Sequence, residues 1–254
     1  TSGTTHSINL VANGFQDLLS DKDEIIISGL EHHSNIVPWQ MMTEKNGAKI
    51  KIIPINENGE LNMKAYDNIL NSKTKLVFVN HVSNALGTVN PIKTIIEKAH
   101  KVNAAVLIDG AQASAHFKTD LQELDADFYT TSAHKLCGPT GIGMLFGKEK
   151  WLKKLPPYQG GGEMISNVTF DKTEYAELPH KFEAGTPAIA EVIGFGEALH
   201  YLSSIDLLKH WQEEKEIVNY IKSEIKELRS FTILENSDET SIISITHRNA
   251  QPIE

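Results

Sequence analysis

The sequence has a single cysteine, only two arginines (Arg229 and Arg248), and no apolar run approaching the roughly 18 residues of a membrane-spanning helix. One cysteine excludes an internal disulfide framework and fits a reducing compartment such as the cytoplasm. The net charge is −9, from 24 Lys+Arg against 33 Asp+Glu. With so little arginine, that balance argues against a nucleic-acid-binding face, which needs clustered cations. Histidine is plentiful at eleven residues. None of them falls in an HExxH spacing or beside a carboxylate-rich ligand set, so no metal is expected. No repeat or low-complexity segment is present. What remains is ordinary globular composition, 40% hydrophobic and 22% charged over 254 residues. That length suits one large domain or two modest ones.

The chain alternates strand and helix patterns. β-rich runs predict strands at Glu24–Ser28, Lys49–Ile55, Leu76–Asn80, Ala105–Asp109, Phe128–Ser132 and Ile142–Phe146. Helical periodicity lies between most of them, as at Ile92–Val102 after Pro91, a favoured first-turn residue. Val106-Leu107-Ile108 and Leu76-Val77-Phe78-Val79 are continuously apolar, as strands covered on both faces should be. The reading is an α/β fold with a mostly parallel sheet, whose ligands gather at the carboxyl ends of the strands. From Gly160 to Pro187 an irregular, glycine-rich loop is expected. Helices at Ala188–Ser203 and Asp206–Leu228 and strands at Phe231–Leu234 and Ser241–Thr246 should follow.

The chemistry concentrates at strand ends. Lys135 lies in Ser132-Ala133-His134-Lys135-Leu136-Cys137-Gly138-Pro139-Thr140-Gly141, one strand after Asp109 in Ile108-Asp109-Gly110-Ala111-Gln112. A lysine able to lose its proton can form a Schiff base with an aldehyde. A buried aspartate one strand away is what a pyridinium nitrogen needs to stay protonated. The pair therefore describes a pyridoxal-phosphate site. Gly3-Thr4-Thr5 opens a helix and suits a phosphate, although an ordinary helix cap reads the same way. His32 follows the first strand and can stack on a planar ring or relay a proton, or simply start a helix. Asn84 follows the strand at 76–80, where a turn residue is the plainer reading. Gln112 is close enough to Asp109 to reach the same ligand, and Asp109 could instead be a helix cap. Gly138 to Gly143 imitates a phosphate loop, but it departs from GxxxxGK[ST] and precedes a strand, so a P-loop is rejected.

At these residues the sequence resembles the class V aminotransferase family of fold type I pyridoxal-phosphate enzymes, and within it cysteine desulfurases of the SufS type. Besides the two segments above, the resemblance is carried by Gly29-Leu30-Glu31-His32-His33-Ser34-Asn35-Ile36-Val37-Pro38-Trp39-Gln40, Gly160-Gly161-Gly162-Glu163-Met164-Ile165 and Phe182-Glu183-Ala184-Gly185-Thr186-Pro187. It implies a fold type I large domain over residues 1–200. Residues 201–254 would be a linking helix and the start of a smaller α+β domain. Lys135 would carry the cofactor and move protons on the substrate, with His32 stacked on the ring as the second catalytic residue. Asp109 would pair with the pyridine nitrogen and Gln112 with the phenolic oxygen. Thr4, Thr5, Ser132 and His134 would hold the phosphate, and Asn84 would lie near the ring and the substrate carboxylate. Thr186 would reach the phosphate bound by the other subunit of a homodimer.

The implied activity is conversion of L-cysteine to L-alanine. Sulfur would be left as an enzyme persulfide and passed to an acceptor protein for iron–sulfur cluster assembly in the cytoplasm. In that family the sulfur is taken by a cysteine of the C-terminal domain. Cys137 does not stand at that position and is expected to be a small apolar residue beneath the cofactor. The chain opens on Thr1 rather than Met and stops at Glu254 in mid-topology. The expectation is thus a fragment that lacks the sulfur-accepting thiol and is inactive alone. A selenocysteine lyase, another class V enzyme, or a cofactor-binding domain without turnover are the alternatives.

Overall fold

Successive residues of a strand point to opposite faces, so a strand buried on both sides must be apolar at consecutive positions. In the computed structural model, which describes residues 1–234 and 240–250, the central strands behave this way. They are β1 (Glu24–Ser28), β2 (Lys49–Ile53), β3 (Thr74–Asn80), β4 (Ala105–Asp109), β5 (Phe128–Ser132) and β6 (Gly143–Gly147). They form one sheet in the order β2-β1-β3-β4-β5-β6. All pairs are parallel except β5 with β6. Parallel neighbours need crossovers, and the chain supplies helices: α1 (Thr4–Phe15), α2 (Val37–Asn46), α3 (Met63–Ile69), α4 (Ile92–Lys101), α5 (Leu121–Leu124) and α6 (Glu149–Lys154).

The alternation divides the core in two. Ile26, Val77, Val79, Val106 and Ile108 face α3 and α4, where Tyr66, Ile95 and Ile96 are buried. Ile25, Ile27, Leu76, Phe78, Leu107 and Phe128 face α1 and α2 on the other side. There Trp39 lies flat on Phe78, with ring centroids 3.5 Å apart. The result is a three-layer α/β/α unit.

Several boundaries differ from the sequence reading. β2 stops at Ile53, β3 begins two residues early at Thr74, and β6 runs Gly143–Gly147. The segment expected to be irregular between Gly160 and Pro187 contains a hairpin, β7 (Ile165–Val168) paired antiparallel with β8 (Thr173–Tyr175). Its strands are largely exposed, so neither leaves the apolar alternation by which a half-buried strand is recognised. Two longer helices follow, α7 (Ile189–Ser203) and α8 (Leu207–Glu227). A separate antiparallel pair, β9 (Phe231–Leu234) and β10 (Ser244–His247), comes last.

The first residues are tied to the edge of the sheet. Gly143 N–H donates to Thr1 O at 2.9 Å. A Cβ on Gly143 would sit 2.5 Å from Gly3 Cα and 2.6 Å from Thr131 O. Both are backbone atoms that cannot swing aside, so Gly143→Ala should cost about 1–3 kcal/mol of stability by overpacking. Urea denaturation would measure it, and an unchanged midpoint would mean that the N-terminal segment does not pack as described.

Candidate functional site

Because β1, β3, β4 and β5 run parallel and side by side, their carboxyl ends open on one edge. A cleft of about 170 Å³ lies there, lined by Thr4, Thr5, His32, Ser34, Asn80, Val82, Asn84, Asp109, Ala111, Gln112, Ser132, His134 and Lys135. Nine of the ten site residues expected from sequence are among them. The tenth, Thr186, is exposed and lies outside the cleft. The sequence reading missed Ser34, Asn80, Val82 and Ala111. Each stands within two residues of one it named or ends a strand it predicted, so proximity along the chain was the available signal.

Asp109 ends β4 with 5% of its surface exposed. Its Oδ1 accepts the Ala111 N–H at 2.9 Å, which makes it a turn cap as well as a cleft residue. Its Oδ2 has no hydrogen-bond partner among the described residues. Burial pushes the carboxyl above its ordinary range, against the opposing pull of the Ala111 N–H, Lys135 and His32. Asp127, just before β5 at the amino ends of the strands, behaves otherwise. Burial also disfavours its charge, but His100 Nε2 at 2.8 Å, Lys150 Nζ at 3.0 Å, Trp151 Nε1 and the Val106 N–H outweigh it, and its carboxyl is held low. Asp127 is a satisfied structural ion. Asp109 is not, and what it lacks is a donor from the cleft.

Lys135 closes the 3-10 turn Ala133–Lys135 immediately after β5 and is half-buried. Its Nζ has no hydrogen bond or ion pair among the described residues. The turn is held by Leu136 N to Ala133 O at 2.8 Å and Gly138 N to Ala133 O at 2.9 Å. Cys137 adopts a φ of 58° there and is exposed, which corrects the expectation of a buried apolar residue. The left-handed backbone at the turn swings its side chain out to solvent, and Cys137 does not line the cleft.

At the other end of the cleft, α1 begins without a side-chain cap. Gly3 is its N-cap, with φ 137°, and the first turn carries no acidic residue. Thr4 N–H and Thr4 Oγ1 bond Ser132 Oγ at 2.9 and 3.0 Å, which joins the helix start to the end of β5. Thr4 and Thr5 are thus not caps. The structure brings them with Ser132 and His134 around an uncapped helix N-terminus, a favourable seat for an anion. His32 is oriented through Nδ1, which lies 2.8 Å from Ser34 Oγ and accepts Ser34 N–H at 3.1 Å. Asn84 sits on a tight loop, in which Ser83 Oγ accepts from Ala85 N and Leu86 N.

The aminotransferase class-V family model matches residues 1–254. A cysteine desulfurase of Enterobacter sp. (strain 638) is 46% identical over 233 residues, covering 91% of this chain and 57% of that protein. A probable cysteine desulfurase of Halalkalibacterium halodurans is 42% identical over 253 residues, covering 99% and 62%. The crystal structure of the cysteine desulfurase CsdA from Escherichia coli superposes with a TM-score of 0.95 at 35% identity, covering 99% of this chain and 63% of that one. The chain therefore spans about three-fifths of the length of the curated relatives it matches.

A second carboxyl beneath the cleft carries a test of these electrostatics. Burial, countered by bonds from Ser28, Asn35 and Asn80 and reinforced by Asp109, raises Glu31 from 4.5 to about 8. The folded protein then holds a proton that the unfolded chain releases, so Glu31 lowers stability as pH rises from about 4.5 to about 8. Burial depresses His81 from 6.5 to about 4, which acts in the opposite sense and only below pH 6.5. Between pH 6.5 and 8 the Glu31 contribution is unopposed by His81. Wild type should lose stability relative to Glu31→Gln there, by at most about 1.4 kcal/mol per pH unit for one proton. Urea unfolding of both proteins across that window decides, and parallel curves would mean Glu31 is not protonated in the fold.

Proposed function

The chain belongs to the aminotransferase class-V family, and from that premise we propose that its protein is a pyridoxal-phosphate-dependent cysteine desulfurase. It converts L-cysteine to L-alanine and leaves the sulfur as an enzyme persulfide. The observation that carries this reading is the pairing of an unpartnered lysine, Lys135, with a buried carboxyl, Asp109, at the ends of adjacent parallel strands in one cleft. Relatives named cysteine desulfurase at 42–46% identity support the choice of substrate.

The residues present fit the cofactor. Asp109 offers an uncommitted oxygen that suits a protonated pyridine nitrogen. The uncapped start of α1, with Thr4, Thr5, Ser132 and His134, offers the donors a phosphate needs. When bound, pyridoxal phosphate supplies the electron sink that makes the substrate's α-hydrogen acidic. Lys135 would hold it, and its Nζ would then hold and move that proton. His32, oriented by Ser34, would meet the ring face, Gln112 would donate to the phenolic oxygen, and Asn84 would serve the substrate carboxylate.

A homodimer is part of this reading. α7 leaves Ile189 60%, Val192 51% and Ile193 65% exposed, an apolar face suited to burial against a second subunit. Thr186, just before it, would then serve the phosphate bound by the other subunit. The sulfur would pass to an acceptor protein for iron–sulfur cluster assembly in the cytoplasm. Cys137 is outside the cleft and is not the thiol that takes it.

Alanine and sulfide release from cysteine by the full-length protein tests the assignment. Lys135→Ala should lose the visible absorption band of the bound cofactor and at least about 10³-fold in turnover. Asp109→Ala should keep the cofactor but turn over slowly, and Cys137→Ala should stay near wild type. Mixing Thr186→Ala with Lys135→Ala chains should restore activity through heterodimers with one intact site. Full activity in Lys135→Ala, or loss of the persulfide on Cys137→Ala alone, would contradict the reading.

A further inference from the structure

Glu31 precedes His32, yet its side chain turns away from the cleft into the core, with 9% of the residue exposed. A carboxyl in such a place must find donors. Glu31 Oε1 is hydrogen-bonded to Ser28 Oγ, the one partner able to take the carboxyl's proton, and accepts the Asn80 N–H at 2.9 Å. Its Oε2 accepts from Asn35 Nδ2 at 2.6 Å. All three partners are neutral, so the site is not an ion pair. The bonds extend outward on both sides. Asn35 Oδ1 accepts from the indole N–H of Trp39 at 2.9 Å. Asn80 Nδ2 donates to Leu30 O at 2.5 Å, and Asn90 Nδ2 donates to Asn80 O at 2.9 Å.

The geometry of this network is specific. Ser28 ends β1 and Asn80 ends β3, so one carboxyl bridges the carboxyl ends of two neighbouring strands. Asn80 is itself a cleft residue, in register with Asp109 on β4. Asn35 closes the turn on which His32 and Ser34 stand. We propose that Glu31 is a positioning residue: its buried carboxyl fixes the His32 turn and the Asn80–Asp109 strand ends in the arrangement that receives the cofactor ring. It touches no cofactor and acts through Asn35 and Asn80. The proposal rests on the cleft being the pyridoxal-phosphate site.

The three contacts rank the substitutions. Alanine removes every acceptor at once. Glutamine keeps the shape and can still accept from Ser28 and Asn80, but its amide N–H₂ then faces the Asn35 amide as a second donor. The experiment titrates the full-length apoprotein with pyridoxal phosphate, reading Kd from absorbance and the ring's fixed orientation from visible circular dichroism, with far-ultraviolet circular dichroism as the folding control. Glu31→Ala should bind about tenfold more weakly with at least half of the visible dichroic band lost per bound cofactor, and Glu31→Gln should fall between it and wild type. A folded Glu31→Ala protein with wild-type Kd and wild-type band would overturn the positioning role. Should that variant not fold, Asn35→Ala, which cuts the link from Glu31 to the His32 turn, should still weaken binding and reduce the band, and an unchanged Asn35→Ala protein would overturn the proposal equally. Wild type that binds no pyridoxal phosphate would instead sink the reading of the cleft, and this inference with it.

Discussion

A carboxylate taken out of water at the end of β4 is the constraint on which the rest of this molecule turns. Asp109 cannot be explained as a structural ion, because no protein cation bonds it and one of its oxygens is uncommitted among the described residues. Asp127, at the amino end of β5 in the same sheet, shows what a satisfied buried carboxylate looks like, with four donors converging on it. With one oxygen facing the cleft and few donors, burial disfavours the charged form of Asp109. A fold keeps such a group where a bound partner repays the deficit, and functional sites are where perturbed carboxyls concentrate.

The parallel sheet converts that single carboxyl into a site. Parallel strands set their carboxyl ends in a row, so β1, β3, β4 and β5 deliver His32, Asn84, Asp109 and Lys135 to one opening although they lie far apart in sequence. The uncapped start of α1 is brought to the same opening through Ser132. The loop carrying Asn84 is held from two directions, by Thr88 Oγ1 on Gly59 O at 2.9 Å and by Thr240 Oγ1 on Gly87 O at 2.8 Å. The last described segment of the chain therefore touches the loop beside the cleft, and packing there bears on the position of Asn84.

Much of this was legible in the sequence because the relevant signals are local. Runs such as Val106-Leu107-Ile108 admit few readings other than a buried strand, and a polar residue at the end of such a run points to a cleft. Asp109 was recognisable for that reason, whereas Lys135 was named from its motif and its spacing to Asp109. The seven further cleft residues drew their roles from the family resemblance, several of them reading singly as ordinary caps or turns. What was not legible depends on tertiary contact. Glu31 is one of 33 acidic residues, and what sets it apart is tertiary: it is buried and accepts the Asn80 N–H from a different strand. The β7–β8 hairpin is exposed on both faces and leaves no apolar alternation. Cys137 was misplaced because Gly138-Pro139 announces a turn without saying which side chain the turn expels.

The central claim is that Lys135 is the residue to which pyridoxal phosphate binds covalently in this cleft. Borohydride reduction of the protein with pyridoxal phosphate, followed by peptide mass mapping, reads that directly. Covalent binding at Lys135 puts the pyridoxyl mass on the peptide containing Lys135, at one per chain and without labelling of other lysines. A label distributed over surface lysines, or on a single different lysine, would contradict it.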